Sequence, residues 1–174
     1  MSTKNNNEMK TILVFSIAIA ILLFNQCQTT SNKIIMEQNK NKETVVRFYN
    51  ELLNKGNLDL LNDVMTQDFI DYNATADQAP GMEGFKGLLK MVTTAFPDLH
   101  IVLEDTIAEG NKVVSRLTIT GTQTGILMGT IPPSNKKATW TGIDILEIKG
   151  DKITGRWSER NLLSMMMQIG AIPK

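Results

Sequence analysis

An α+β fold, with helices first and a curved antiparallel sheet wrapped around them, is predicted by three features of this 174-residue chain. Apolar residues recur at three- and four-residue intervals between residues 42 and 95. Beyond Leu99 the pattern changes to runs rich in Val, Ile, Thr and Trp, divided by glycine-centred turns. Helical runs that precede the strand runs, rather than alternate with them, mark this class.

The N-terminal part stands apart from that pattern. Lys4 and Lys10 precede the apolar run Ile12 to Phe24, interrupted only by Ser16. Thirteen helical residues span about 20 Å, short of the roughly 30 Å hydrocarbon core of a bilayer. The basic start and short apolar run fit a secretory signal peptide instead, with Met1 or Met9 as its first residue. The only cysteine, Cys27, lies three residues past the run, after Phe24-Asn25-Gln26. That placement resembles a bacterial lipoprotein signal, in which the cysteine is acylated and becomes the mature N-terminus; the alternative is a plain secreted or periplasmic protein. Residues 1–26 are thus expected to be the signal and 27–41 a polar tether, leaving 42–174 as the folded domain.

Within the domain, Val45, Val46, Tyr49, Leu52 and Leu53 form the apolar side of a first helix, stopped at Gly56. Leu60, Leu61 and Val64 belong to a short second helix, Leu58 to Met65. Phe69 to Tyr72 is expected to be extended, and 73–80 a loop whose Asn73-Ala74-Thr75 matches an N-glycosylation sequon. A third helix runs from Met82 to Ala95, with Phe85, Leu88, Leu89 and Val92 on one side, and Pro97 ends it. Four strands follow, Leu99–Ala108, Lys112–Thr122, Lys137–Ile148 and Lys152–Glu159. Gly110 and Gly150 sit at hairpin distance between neighbouring pairs. The longer connection 125–134 carries Pro132-Pro133, and Asn161 to Ile169 closes the chain as a helix.

Composition removes several chemistries. With 18 Lys+Arg, 18 Asp+Glu and a pI near 6.6, no positive field exists to attract a nucleic acid. Loss of the first 26 residues takes two Lys and one Glu, leaving a net charge of −1. With one His and one Cys, the residues that a Cys/His metal site, a disulfide framework, or Cys–His or Ser–His–Asp catalysis needs are absent or nearly so. His100, alternating away from Leu99, Ile101 and Leu103, reads as a surface or packing residue. A carboxylate is the better candidate base. Asp144 stands among Gly142, Ile143, Ile145 and Leu146, where burial would raise its pKa. Strand alternation puts Trp157, Glu159 and Asn161 on one face and Arg156 and Ser158 on the other. Trp140 and Trp157 suit either a pocket lining or core packing. Arg116 needs a partner if it points inward.

Several short segments occur together in a set order: Pro80-Gly81-Met82-Glu83-Gly84-Phe85, Phe96-Pro97-Asp98-Leu99, Gly121-Thr122-Gln123-Thr124-Gly125, Ile131-Pro132-Pro133, Trp140-Thr141-Gly142-Ile143-Asp144, and Trp157 with Asn161 and Gln168-Ile169-Gly170. In that order and spacing, 42–173 resembles the SnoaL-like polyketide cyclase or ester cyclase family, within the nuclear-transport-factor-2-like superfamily. The resemblance implies a cone-shaped fold with a deep apolar cavity. It also implies cofactor-independent ring closure by an aspartate acid/base, and dimers formed through the exposed side of the sheet. Counting from Trp157, the family's aspartate corresponds to Asn161. Positions where the family carries cavity histidines hold Tyr72 and Gln123, and Gly155 replaces an expected glutamate.

Three functions follow from these residues. One is a cyclase-like enzyme using Glu159 or Asp144 as base, with Tyr72, Gln123 and Asn161 orienting the substrate. Another is a non-catalytic domain at the bacterial envelope that binds an apolar small molecule, with Arg116, Trp140 and Trp157 among the contacts. The last is a dimerising interaction module. A neutral amide in place of the acid/base aspartate favours binding, because a positioned proton acceptor is worth about 10²–10⁴ in rate.

Overall fold

The computed structural model describes residues 2–173, with side chains from residue 21 onward. The chain divides into two compact units, 1–37 and 38–174.

Residues 2–37 belong to the long helix α1 (Ser2–Arg47). No Gly or Pro interrupts residues 2–47, so nothing in the backbone breaks the helix. The segment expected to be a tether is therefore helical, and its side chains from 27 to 37 are exposed. Most side chains of the apolar run, and Met1, lie outside the described residues. No described helix is long and apolar enough to cross a membrane.

In the second unit, α1 runs into a π-helical segment, Phe48–Leu53, that buries Phe48, Tyr49 and Leu52. A 3₁₀ turn, Leu58–Leu60, leads into the four-residue helix α2 (Leu61–Val64). The strands are β1 (Met65–Asp71), β2 (His100–Glu109), β3 (Lys112–Thr122), β4 (Lys137–Lys149) and β5 (Lys152–Arg160). Helix α3 (Gly81–Ala95) lies between β1 and β2, and α4 (Leu162–Ile169) follows β5. The fold is α+β, as expected, with a curved, unclosed five-stranded sheet ordered β1-β5-β4-β3-β2.

The predicted meander β2–β5 is antiparallel throughout. A fifth strand joins it: β1 pairs parallel to β5, making the sheet mixed. It begins at Met65, which the helical spacing had assigned to the preceding helix. A register irregularity between Met65 and Ile70 disrupts the period-two signal there.

Alternation along β4 turns Ala138, Trp140, Gly142, Asp144, Leu146 and Ile148 to the buried side. Their partners Val113, Ser115, Leu117, Ile119 and Gly121 on β3 share that face. Phe48, Phe69, Phe85, Phe96 and Leu52 complete a core in which each is at most 1% exposed.

The recurring sequence segments hold this frame together. Gly84 packs on the backbone of Ala79 so closely that a Cβ would stand 1.5 Å from its carbonyl oxygen. Asp98 accepts from the backbone N–H and hydroxyl of Thr122, bonds that hold its carboxyl below the usual range. Gln168 pairs with both the N–H and C=O of Thr139, tying α4 to β4.

Candidate functional site

The inner face of the sheet is apolar except at one cluster. Its centre is Asp144, 1% exposed on β4. Arg160, at the end of β5, donates from Nη1 to Asp144 Oδ1 at 2.6 Å and from Nη2 to Oδ2 at 2.8 Å. Tyr49, carried by the π-helical segment, donates its hydroxyl to the same Oδ2. Burial pushes the Asp144 carboxyl up, but the hydrogen bonds and charge of Arg160, with Arg156 and Tyr49 assisting, bring it below the usual range. Burial, and then the adjacent Asp144 carboxylate, raise the Tyr49 phenol well above its ordinary value. Tyr49 is thus a neutral donor and Asp144 an anion with both oxygens engaged. Such a carboxylate is a weak base.

A second ion pair lies beside the first. Arg156 Nη2 is 2.9 Å from Asp71 Oδ2, with the two side chains 10% and 3% exposed. The Arg156 guanidinium sits over the Phe85 ring at 4.7 Å. Asp71 also accepts from Gln78 Nε2 and from the backbone N–H of Asn73. Register places Ser115, Asp144 and Ser158 side by side across β3, β4 and β5, with Arg156 opposite Leu146 on the same inner face.

The predicted residues divide between the two faces. Asp144 and Trp140 point inward, and Trp140 packs on Phe96 with ring centroids 5.2 Å apart. Gln123 is fully buried, but its amide is taken up by the following loop: Nε2 donates to the carbonyls of Gly125 and Pro132, and Oε1 accepts from Ser134 N–H. Trp157, Glu159 and Arg116 belong to the outer face. Arg116 pairs with Asp105 at 2.6 Å, and Glu159 accepts from Asn73 Nδ2 at 3.3 Å. Trp157 stacks on Tyr72 at 4.1 Å, with Lys112 Nζ 4.7 Å from its centroid. Asn161 caps α4 by accepting from Ser164 N–H. His100 and Cys27 are exposed. Among the described residues no group of His, Cys, Asp and Glu is placed to hold a metal.

Sequence reasoning missed Arg160, Arg156, Tyr49, Asp71 and Ser115 as site residues. An open depression of about 330 Å³ is lined by Arg116, Thr141, Gly142, Ile143, Glu159, Arg160 and Asn161; of the cluster's residues, Arg160 borders it.

The SnoaL-like polyketide cyclase family profile matches residues 43–169. The chain belongs to this family. Solved structures agree with the SnoaL-like assignment. TsrD from Streptomyces laurentii is 27% identical with a TM-score of 0.70, covering 78% of this chain and 98% of that one. A candidate SnoaL-like polyketide cyclase from Jannaschia is 27% identical with a TM-score of 0.69, covering 78% and 95%. A candidate polyketide cyclase from Bacillus cereus is 29% identical with a TM-score of 0.66, covering 76% and 82%. No curated protein matches the SnoaL-like chain.

Proposed function

We propose that this SnoaL-like domain binds an apolar small molecule on the inner side of its sheet without acid–base catalysis, and that a lipid on Cys27 holds it at a bacterial envelope. The observation that carries the reading is the engagement of Asp144. The inward carboxylate is locked by Arg160 and Tyr49. Neither other candidate supplies a free base at that cluster: Glu159 belongs to the outer face, and Asn161, which the count from Trp157 sets against the family's acid/base aspartate, is a neutral helix cap. Phe48, Phe85, Phe96 and Trp140 supply the apolar surroundings. Wild-type protein is expected to be inactive on model esters and intramolecular aldol substrates, and Asn161→Asp to create or raise turnover. Wild-type turnover that Glu159→Gln abolishes would restore the cyclase reading. Anchoring is tested by labelling with a palmitate analogue, which Cys27→Ala should eliminate; equal labelling ends the idea.

A homodimer through the outer face is a second element of the proposal. Ile107, Val114, Ile145 and Trp157 stand in one row across β2 to β5 on that face. Ile107 is 67% exposed, and Ile143 in the next row 49%. Exposed apolar residues such as Ile107, Val114 and Ile143 on one face suit a two-fold contact. Light scattering of the full chain in detergent should give a dimer, and Ile107→Asp with Ile143→Asp a monomer. A monomeric wild type rejects it.

A further inference from the structure

The connection from β3 to β4 carries an exposed apolar tip that takes no part in the inner cluster. Leu127 is buried there, but its neighbours Ile126 and Met128 are 57% and 45% exposed. The tip is held firmly. Thr124 and Gly125 N–H both donate to the Ala95 carbonyl, and Leu127 and Ile131 exchange backbone hydrogen bonds. Gln123 spends its whole amide on the same loop, bonding Gly125, Pro132 and Ser134. Met128 is fixed at φ 51°, a left-handed conformation that costs an apolar side chain energy. Such strain persists where the surrounding structure enforces it, and it collects at functional sites.

Charge identifies the occupant. Residues 121–143 and 161–174 contain no Asp or Glu. The two segments are neighbours, since Gln168 of α4 bonds both backbone groups of Thr139 on β4. Lys136 and Lys137, both exposed, stand at the root of the loop, where Gln123 N–H donates to the Lys136 carbonyl. One acid, Asp98, approaches Lys137, and the Thr122 N–H and hydroxyl already engage it. An apolar tip with lysines at its root matches an anionic bilayer surface, where apolar side chains enter the acyl boundary and lysines stay among the phosphates. A two-fold contact through the tip would instead set these lysines against their own copies. We propose that this loop docks the domain on an anionic lipid surface, with Ile126 and Met128 inserted and Lys136 and Lys137 at the headgroups. Two side chains and two charges bind weakly by themselves. Docking therefore rests on the Cys27 anchor proposed above, which keeps the loop at high effective concentration near the bilayer.

Ile126→Trp places a reporter in the tip, against Trp140, which is buried, and Trp157, which Tyr72 covers. The acylated full chain is reconstituted on vesicles of brominated phosphatidylcholine, alone or with an equal part of brominated phosphatidylglycerol. Relative to unbrominated lipid, bromine should quench Ile126→Trp at least threefold more strongly on the anionic vesicles and leave the wild type nearly unchanged. Adding Lys136→Glu and Lys137→Glu should remove that difference, and adding Met128→Asp should weaken quenching on both vesicles. A chain that sediments with the vesicles but is unquenched, or is quenched equally on both, overturns the docking and leaves the anchor intact. A chain that stays in solution defeats anchor and docking together. Ile126→Trp emission that shifts with protein concentration in the absence of lipid means that the tip meets a second copy, which also overturns the docking.

Discussion

Arg160 reaches Asp144 by lying across Gly142, its register partner on β4. A Cβ at Gly142 would stand 2.6 Å from both Cδ and Nη1 of Arg160, so the path that Arg160 takes to Asp144 uses the space left by the missing side chain. Gly142→Ala should therefore displace Arg160 and strand the Asp144 carboxylate, a loss of about 3–5 kcal/mol for breaking a buried pair from one side. Urea unfolding of Gly142→Ala, Asp144→Ala and the double variant measures this. The effects should overlap strongly rather than add, since all act on one contact. Full additivity contradicts the arrangement.

Replacing the pair as a whole should be mild. Asp144→Leu combined with Arg160→Met removes both desolvated charges together, and buried pairs exchanged in this way are often neutral or even stabilising. The double variant should unfold at nearly the wild-type urea concentration, although Asp144→Leu alone should not.

The cluster also sets the shape of the stability–pH curve. Asp144, lowered in the folded state, contributes stability that is full above the unfolded carboxylate value of about 3.9 and is lost as pH falls through its folded value. Asp98 acts in the same direction. Tyr49, raised in the folded state, contributes stability that is full below about 10 and is lost as pH rises beyond it. Urea midpoints across this range should show both declines, and Tyr49→Phe should flatten the alkaline one while keeping the acid one. Identical alkaline slopes for the two proteins would place the phenol outside the cluster.

The turn at Leu127–Thr130 holds Met128 at φ 51° beside Gly129 at φ 70°. Methionine in the left-handed region is strained by roughly 1–2 kcal/mol, while Asn tolerates it. Met128→Asn should stabilise the domain by up to about 1 kcal/mol, seen as a higher Tm. Gly84→Ala should do the reverse and far more strongly, because its Cβ would meet the Ala79 backbone, which cannot yield as a flexible side chain can.

Helix and strand periods made most of this fold legible, since burial follows the apolar pattern on α3, β3 and β4. Asp144 stood out for the same reason, as a carboxylate within an apolar run. The outer face was harder to recognise. Alternation separates Trp157 and Glu159 from Arg156 and Ser158 correctly, but not which set faces inward. An aromatic residue suggests the interior and an arginine the surface, whereas here Trp157 is covered from outside by Tyr72 and Lys112. Arg156 and Arg160 are inside because Asp71 and Asp144 meet them from other strands, a pairing that no local spacing records. The polar segment after Cys27 lacks an apolar stripe, yet nothing in it stops a helix, so absence of periodicity did not mean absence of structure.

Native mass spectrometry of the full chain, purified in mild detergent from its own host, tests the central claim most directly. The predicted result is a protein carrying a small, apolar molecule that is released on unfolding. A chain that flies at its bare mass, and whose wild-type form turns over an ester or aldol substrate, would contradict the account.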